Sequence, residues 1–181
     1  MQAGSGNVQY NYGNPVPSDS GDKLQAPVSR MAGSLYRGHA FISYVREDSG
    51  DVDVLQNMFE ATGIPVWRDT ASLWPGEDWR AKIRDAITRD ALVFIACFSS
   101  RSAARQASHQ NEELLLAIDQ LRLRQPDIPW LIPIRLDDCA VPDLALGAGR
   151  TLGSIQRVDL FGPNRDQAAG RLIAAVRRLL P

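Results

Sequence analysis

From His39 onward, short apolar runs alternate with stretches in which apolar residues recur every three or four positions. The runs are strand-sized and the periodic stretches helix-sized. His39-Ala-Phe-Ile-Ser-Tyr44 reads as a first strand. Ser49 is placed to cap a helix with Val52, Leu55 and Phe59 on its core face and Gly63 at its close. Ile64-Pro-Val-Trp-Arg68 is a short second strand whose proline points to a sheet edge. Asp69 to Asp78 holds Pro75-Gly76 and reads as a loop. A second helix follows, with Trp79, Ile83, Ala86 and Ile87 at helical spacing. Ala91 to Cys97 is apolar throughout, as a strand buried on both faces should be. After a Ser/Arg-rich loop, a third helix runs through Leu114, Ile118 and Leu121. Trp130 to Ile134 is a fourth strand and Ile155 to Leu160 a fifth. Asn164 with Gln167 reads as a capping box for a last helix, its core face holding Leu172, Ile173, Val176 and Leu179. Strands alternating with helices call for parallel pairing through right-handed crossovers. The expected architecture is α/β, a flavodoxin-like five-stranded parallel sheet with helices on both faces, covering residues 37–181.

Residues 1–36 break the pattern. Gly, Pro, Ser, Asn and Gln fill 19 of those 36 positions, and Phe, Ile and Trp are missing. Such a segment buries too little apolar area to offset its ordering entropy, so a disordered N-terminal tail or linker is expected. A segment that folds on a partner is the alternative. The formal net charge is −1, from 20 Lys plus Arg against 21 Asp plus Glu. That balance argues against nucleic acid as the partner. Cys97 and Cys139 are the only cysteines and lack a CxxC spacing, which disfavours a disulfide scaffold and points to a reducing compartment. No apolar run is long enough to span a membrane and no leader pattern opens the chain. The expectation is a cytoplasmic protein with no membrane partner.

The architecture alone decides no chemistry. The turn after the first strand is Ser43-Tyr-Val-Arg-Glu-Asp-Ser49, so the dinucleotide fingerprint GxGxxG is missing there, as is a Walker A loop. A receiver domain needs an aspartate ending the third strand, where Phe98-Ser99-Ser100 stands, and a lysine after the fifth, whereas the lysines are Lys23 and Lys82. His39 and His109 lie in different elements without an HExxH or clustered carboxylates, so no metal site is expected. No GxSxG elbow is present.

Five ordered blocks remain to be explained: Ala40-Phe-Ile-Ser-Tyr44, Gly63-Ile-Pro-Val-Trp-Arg-Asp69, Leu73-Trp-Pro-Gly76, Val93-Phe-Ile-Ala-Cys-Phe-Ser99 and Asn111-Glu-Glu-Leu114. In this order they resemble a TIR (Toll/interleukin-1 receptor) domain, closest to the bacterial, actinobacterial-like kind. The resemblance implies the TIR fold. It also implies one of two activities, cleavage of the nicotinamide–ribose bond of NAD or non-catalytic assembly with other TIR domains. NAD enters as substrate; no cofactor is implied. The enzymatic members carry a catalytic glutamate just before a leucine on the third helix, which corresponds here to Glu113 before Leu114.

Helical geometry favours Glu113 over its neighbour. With Leu114, Ile118 and Leu121 as the buried centre, Glu113 lies roughly a quarter-turn away at about 100° per residue, and Glu112 almost opposite the core. Both also suit the first turn of a helix for its dipole alone. By resemblance, His109 stands where many enzymatic relatives carry an aromatic residue, and it shares a face with Glu113; a surface histidine is the other reading. Trp67 matches an aromatic position that stacks on nucleotide, or it packs in the core. Tyr44 and Arg46 could meet ribose and phosphate oxygens, or line a solvated loop; Ser43 would shape the same cleft. Ser99 could hydrogen-bond there or cap a turn. Trp74, at the Pro75-Gly76 tip, matches a loop that reaches a neighbouring subunit in the family, which implies self-association; packing back on the domain is the alternative. A nucleoside deoxyribosyltransferase-like enzyme shares the sheet and a catalytic glutamate, but the Trp-Pro-Gly loop fits it less well.

Overall fold

In the computed structural model of the protein, which describes residues 38–68, 78–105, 109–125 and 128–180, the five expected strands form one parallel sheet. Strand β1 (His39–Ser43) lies between β2 (Val66–Trp67) and β3 (Ala91–Phe98). Strand β4 (Leu131–Arg135) follows β3. A small antiparallel hairpin, β5 (Ala145–Gly147) and β6 (Arg150–Thr151), stands apart from the sheet, and β7 (Val158–Asp159) closes its far edge. The order is β2-β1-β3-β4-β7, so the Pro65-containing run does end at an edge.

The period-two alternation of the strands divides the core into two layers. Ala40 and Ile42 of β1, with Val93, Ile95 and Cys97 of β3, pack against α1 (Ser49–Ala61) and α5 (Arg165–Arg177). Phe41, Phe94, Ala96 and Phe98 face the other way, towards α2 (Trp79–Asp85), the π turn Ala86–Asp90 and α4 (His109–Leu123). Val52, Leu55 and Phe59 of α1 are buried as expected, as are Ile83, Ala86, Ile87, Leu114, Ile118, Leu172 and Val176. Leu121, Ile173 and Leu179 are half-buried against the same layers. Gly63 ends α1 at φ 79, and the Ile64 N–H turns back to the Phe59 carbonyl.

Several local expectations are corrected. Ser49 does not cap α1: it is the first helical residue, after a 3-10 turn Arg46–Asp48, and the carboxylate of Asp48 is engaged elsewhere. Asn164 makes no side-chain cap either. At φ −98 and ψ 10 it lacks the extended backbone that aims a capping oxygen at the helix N–H groups. The Ser/Arg-rich loop holds a short helix, α3 (Ser100–Ala103), because Ser99 and Ser102 form a reciprocal capping box. The fifth strand is two residues long, since Leu152–Ser154 form a 3-10 turn that Ile155 ends. Arg135 compensates by gripping Asp159 with two parallel N–H bonds of 2.7 Å. Residues 1–36 and the Trp74-Pro75-Gly76 loop lie outside the described residues.

Candidate active site

The chain leaves β1 first towards β2 and then crosses to β3 on the opposite side, which opens a crevice beyond the carboxyl ends of β1 and β3. Buried polar side chains collect there. Among the described residues they are Ser43, Asp48, Ser99, Gln110 and Glu113. Buried polar groups are expensive without partners, and the partners found sort these residues into two clusters.

The first cluster joins β1 to α4. Ser43 follows the parity of Phe41 and so faces α4. Its Oγ donates to Glu113 Oε2 at 2.5 Å, and Glu113 is only 4% exposed. Gln110, three residues earlier on α4, donates through Nε2 to the Cys97 carbonyl at 2.5 Å and more weakly to that of Ser43 at 3.4 Å. It thereby ties the first turn of α4 to the ends of both central strands. Glu112 is exposed and reaches Arg80 at 3.8 Å. The expected contrast between the two glutamates holds, although Glu113 sits deeper than a rim position. A crevice of about 70 Å³ opens beside it between α2 and α4, edged by Arg80, Arg84, His109 and Glu112. His109 is the exposed first residue of α4 on that crevice.

The second cluster ties the 3-10 turn to α3. Ser99 Oγ donates to Asp48 Oδ2 at 2.7 Å and accepts from the Ser102 N–H at 3.0 Å. Arg101 donates from Nε to Asp48 Oδ1 at 2.5 Å and from Nη2 to Asp51 at 2.8 Å. Asp48 raises the pKa of Arg101, first by the hydrogen bond and then by charge. Ser99 is thus committed to a cap and to Asp48.

The remaining expected site residues are spread over the sheet. Trp67 is half-buried and stacks on Phe41 at 4.7 Å and 18°, on the layer that also receives Glu113. Tyr44 is buried in the opposite layer, with the Arg68 guanidinium 5.7 Å from its ring. Arg46 is exposed in the turn after β1. Gln110 and Asp48 were not anticipated. Gln110 carries a signal in hindsight, a polar residue four before Leu114 and three before Glu113 on the buried side of the helix. Among the described residues, no group of three or more His, Cys, Asp or Glu side chains is disposed to hold a metal ion, and no helix is long and apolar enough to cross a membrane.

The sheet order, the crossovers and a buried carboxylate beyond β1 and β3 define a doubly wound α/β domain with a polar site at its switch point. The profile of the TIR-domain family matches residues 40–173, and the chain belongs to that family. No curated protein matches. Among solved structures, the TIR domain of the Toll-related receptor TRR-2 from Hydra magnipapillata is 20% identical, with a TM-score of 0.59, covering 78% of this chain and 98% of that one. A metazoan TIR-STING receptor from C. gigas, solved in complex with 2′,3′-cGAMP, is 21% identical with a TM-score of 0.54. That match covers 78% of this chain and 39% of the receptor. A further structure of a metazoan TIR-STING receptor from C. gigas is 22% identical with a TM-score of 0.51, over 78% of this chain and 40% of that one. At these identities the likeness is one of fold.

Proposed function

We propose that this TIR domain, spanning residues 37–181, is an NAD glycohydrolase of the bacterial kind, with Glu113 as its catalytic residue. One observation carries the reading: a carboxylate buried at the carboxyl end of the sheet, held by the Ser43 hydroxyl at 2.5 Å and opening on the crevice between α2 and α4. Nicotinamide in NAD is already a cationic leaving group, so it departs with the bonding electron pair and needs no general acid. Positive charge develops on the ribose, as in other glycosyl cleavages. An ionised Glu113 stabilises that charge and hydrogen-bonds the ribose hydroxyls, with the start of α4 behind it. Water, or the adenine ring of the same molecule, then attacks to give ADP-ribose or a cyclic isomer. In this reading His109 and Trp67 offer ring faces to the substrate, and Arg46 meets a phosphate. The burial of Tyr44 and the Asp48 bond of Ser99 favour supporting roles for those two. Self-association through Trp74, Pro75 and Gly76 would gate the activity, in a cytoplasmic defence or cell-death role.

A second reading, a non-catalytic adaptor acting through TIR–TIR contacts, is favoured by the size of the crevice. About 70 Å³ accommodates a small group rather than a dinucleotide. The test is nicotinamide release from NAD by the protein, free and crowded on beads, beside Glu113→Ala. The reading expects release that rises on the beads and vanishes in the variant. No release in either state, or release unaffected by Glu113→Ala, overturns it.

A further inference from the structure

Away from Glu113, the end of α4, the residues leading into β4 and the β5–β6 hairpin enclose another cavity, of about 870 Å³. It shares no lining residue with the crevice at Glu113. Among the described residues, its wall carries Arg122, Arg124 and Arg150 and no aspartate or glutamate, while Ile128, Pro129 and Ile155 give it an apolar floor over the buried Trp130 and Leu146.

The three arginines are not equally engaged. Arg122 donates from Nε to the Leu146 carbonyl at 3.1 Å and from Nη1 to Asp119 at 3.2 Å. Arg124 lies over the Trp130 ring at 4.4 Å and makes one long bond, from Nη2 to the Ala91 carbonyl at 3.4 Å. Its Nε is buried without a hydrogen-bond partner, and burial lowers the pKa of the group from its ordinary value. It stays charged all the same, because a guanidinium does not lose its proton in proteins. Arg150 is exposed on the hairpin. A charged N–H buried without an acceptor is unfavourable, and an anion held by the rest of the guanidinium would offset part of that cost. The hairpin tip is also strained: Ala148, a non-glycine at φ 51, stands between Gly147 and Gly149 at φ 97 and 73. Such backbone gathers at binding turns.

We propose that this cavity binds a nucleoside monophosphate, its phosphate towards Arg124 and Arg150 and its base over the apolar floor. The volume suits a ligand of that size. A guanidinium fork matches phosphate oxygens, and a flat ring matches the apolar surface of Ile128, Pro129 and Ile155. The proposal does not depend on the reaction at Glu113.

The test is calorimetric titration of the full chain with adenosine monophosphate at fixed ionic strength, beside adenosine and inorganic phosphate. Adenosine monophosphate should saturate one site, with adenosine and phosphate each weaker by about tenfold or more. Arg150→Gln, an exposed change that keeps the fold, should weaken the nucleotide by about tenfold. Arg124→Gln should weaken it further, and Glu113→Gln should leave it unchanged. No binding up to about 10 mM nucleotide overturns the proposal. So do equal binding of phosphate alone, an affinity unmoved in Arg150→Gln, or binding lost in Glu113→Gln.

Discussion

At the scale of single residues, the buried polar side chains beyond β1 and β3 do their work through partners far away in the chain. Gln110 bonds a carbonyl 13 residues back, and Asp48 bonds side chains 51 and 53 residues ahead. Removing either leaves a buried group unmet. Gln110→Ala should lower stability in urea unfolding by about 1–2 kcal/mol, the cost of an unsatisfied carbonyl. Asp48→Ala should cost more, about 2–4 kcal/mol, because Asp48 is fully buried and takes bonds from both Ser99 and Arg101. Glu47, next to it, is exposed and pairs with Arg105, so Glu47→Ala should leave the unfolding midpoint where it is. Equal effects at positions 47 and 48 would contradict this assignment. The Glu113 position was legible because helix periodicity is local. The Asp48 cluster was not, because hydrogen bonds across some fifty residues leave no trace in spacing.

At the scale of elements, placement of the site follows from two periodicities meeting. Period two in β1 turns Ser43 to the α4 layer, and the period of 3.6 in α4 turns Gln110, Glu113 and Leu114 back towards it. Both periods could be read beforehand, and so could the five strands. Helix starts could not: the sequence offers Ser49 and Asn164 as caps, yet backbone angles and a competing partner decide otherwise. The hairpin β5–β6 also escaped, because its strands bury a single apolar side chain, Leu146, and so lie in no apolar run. The two-residue β7 has a short ladder, and the side-chain clamp from Arg135 adds to it. Arg135 holds the Asp159 carboxyl below its ordinary pKa, so this clamp contributes above about pH 4 and is lost as pH falls through the lowered value. Arg135→Gln should therefore speed amide hydrogen exchange at Val158 and Asp159 while leaving β1 and β3 protected. Uniform exchange across the sheet would show that β7 does not rely on the clamp.

At the scale of the whole molecule, the acid limb of stability should carry the mark of one histidine. His39 opens β1 with its Nε2 buried and unbonded, beside Phe41 and Trp67. Burial pushes its pKa from 6.5 down to about 4, against the opposing charge of Asp90. The folded state therefore binds fewer protons than the unfolded chain between those values, so stability is full above about pH 6.5 and falls as pH drops towards 4. The fall should amount to about 2–3 kcal/mol, and His39→Phe should remove that part of the slope in urea titrations. The architecture as a whole was legible because apolar runs and helical stretches alternate regularly along the chain. The shape of the crevice was not, since it depends on how α2 and α4 approach each other. The proposed function assigns NAD cleavage to Glu113 and not to its neighbour. The most direct measurement is nicotinamide release on beads by Glu113→Gln and Glu112→Gln beside the unaltered protein. The prediction is a loss of about 100-fold or more in the first and little change in the second. Equal rates in all three, or loss only at position 112, would contradict it.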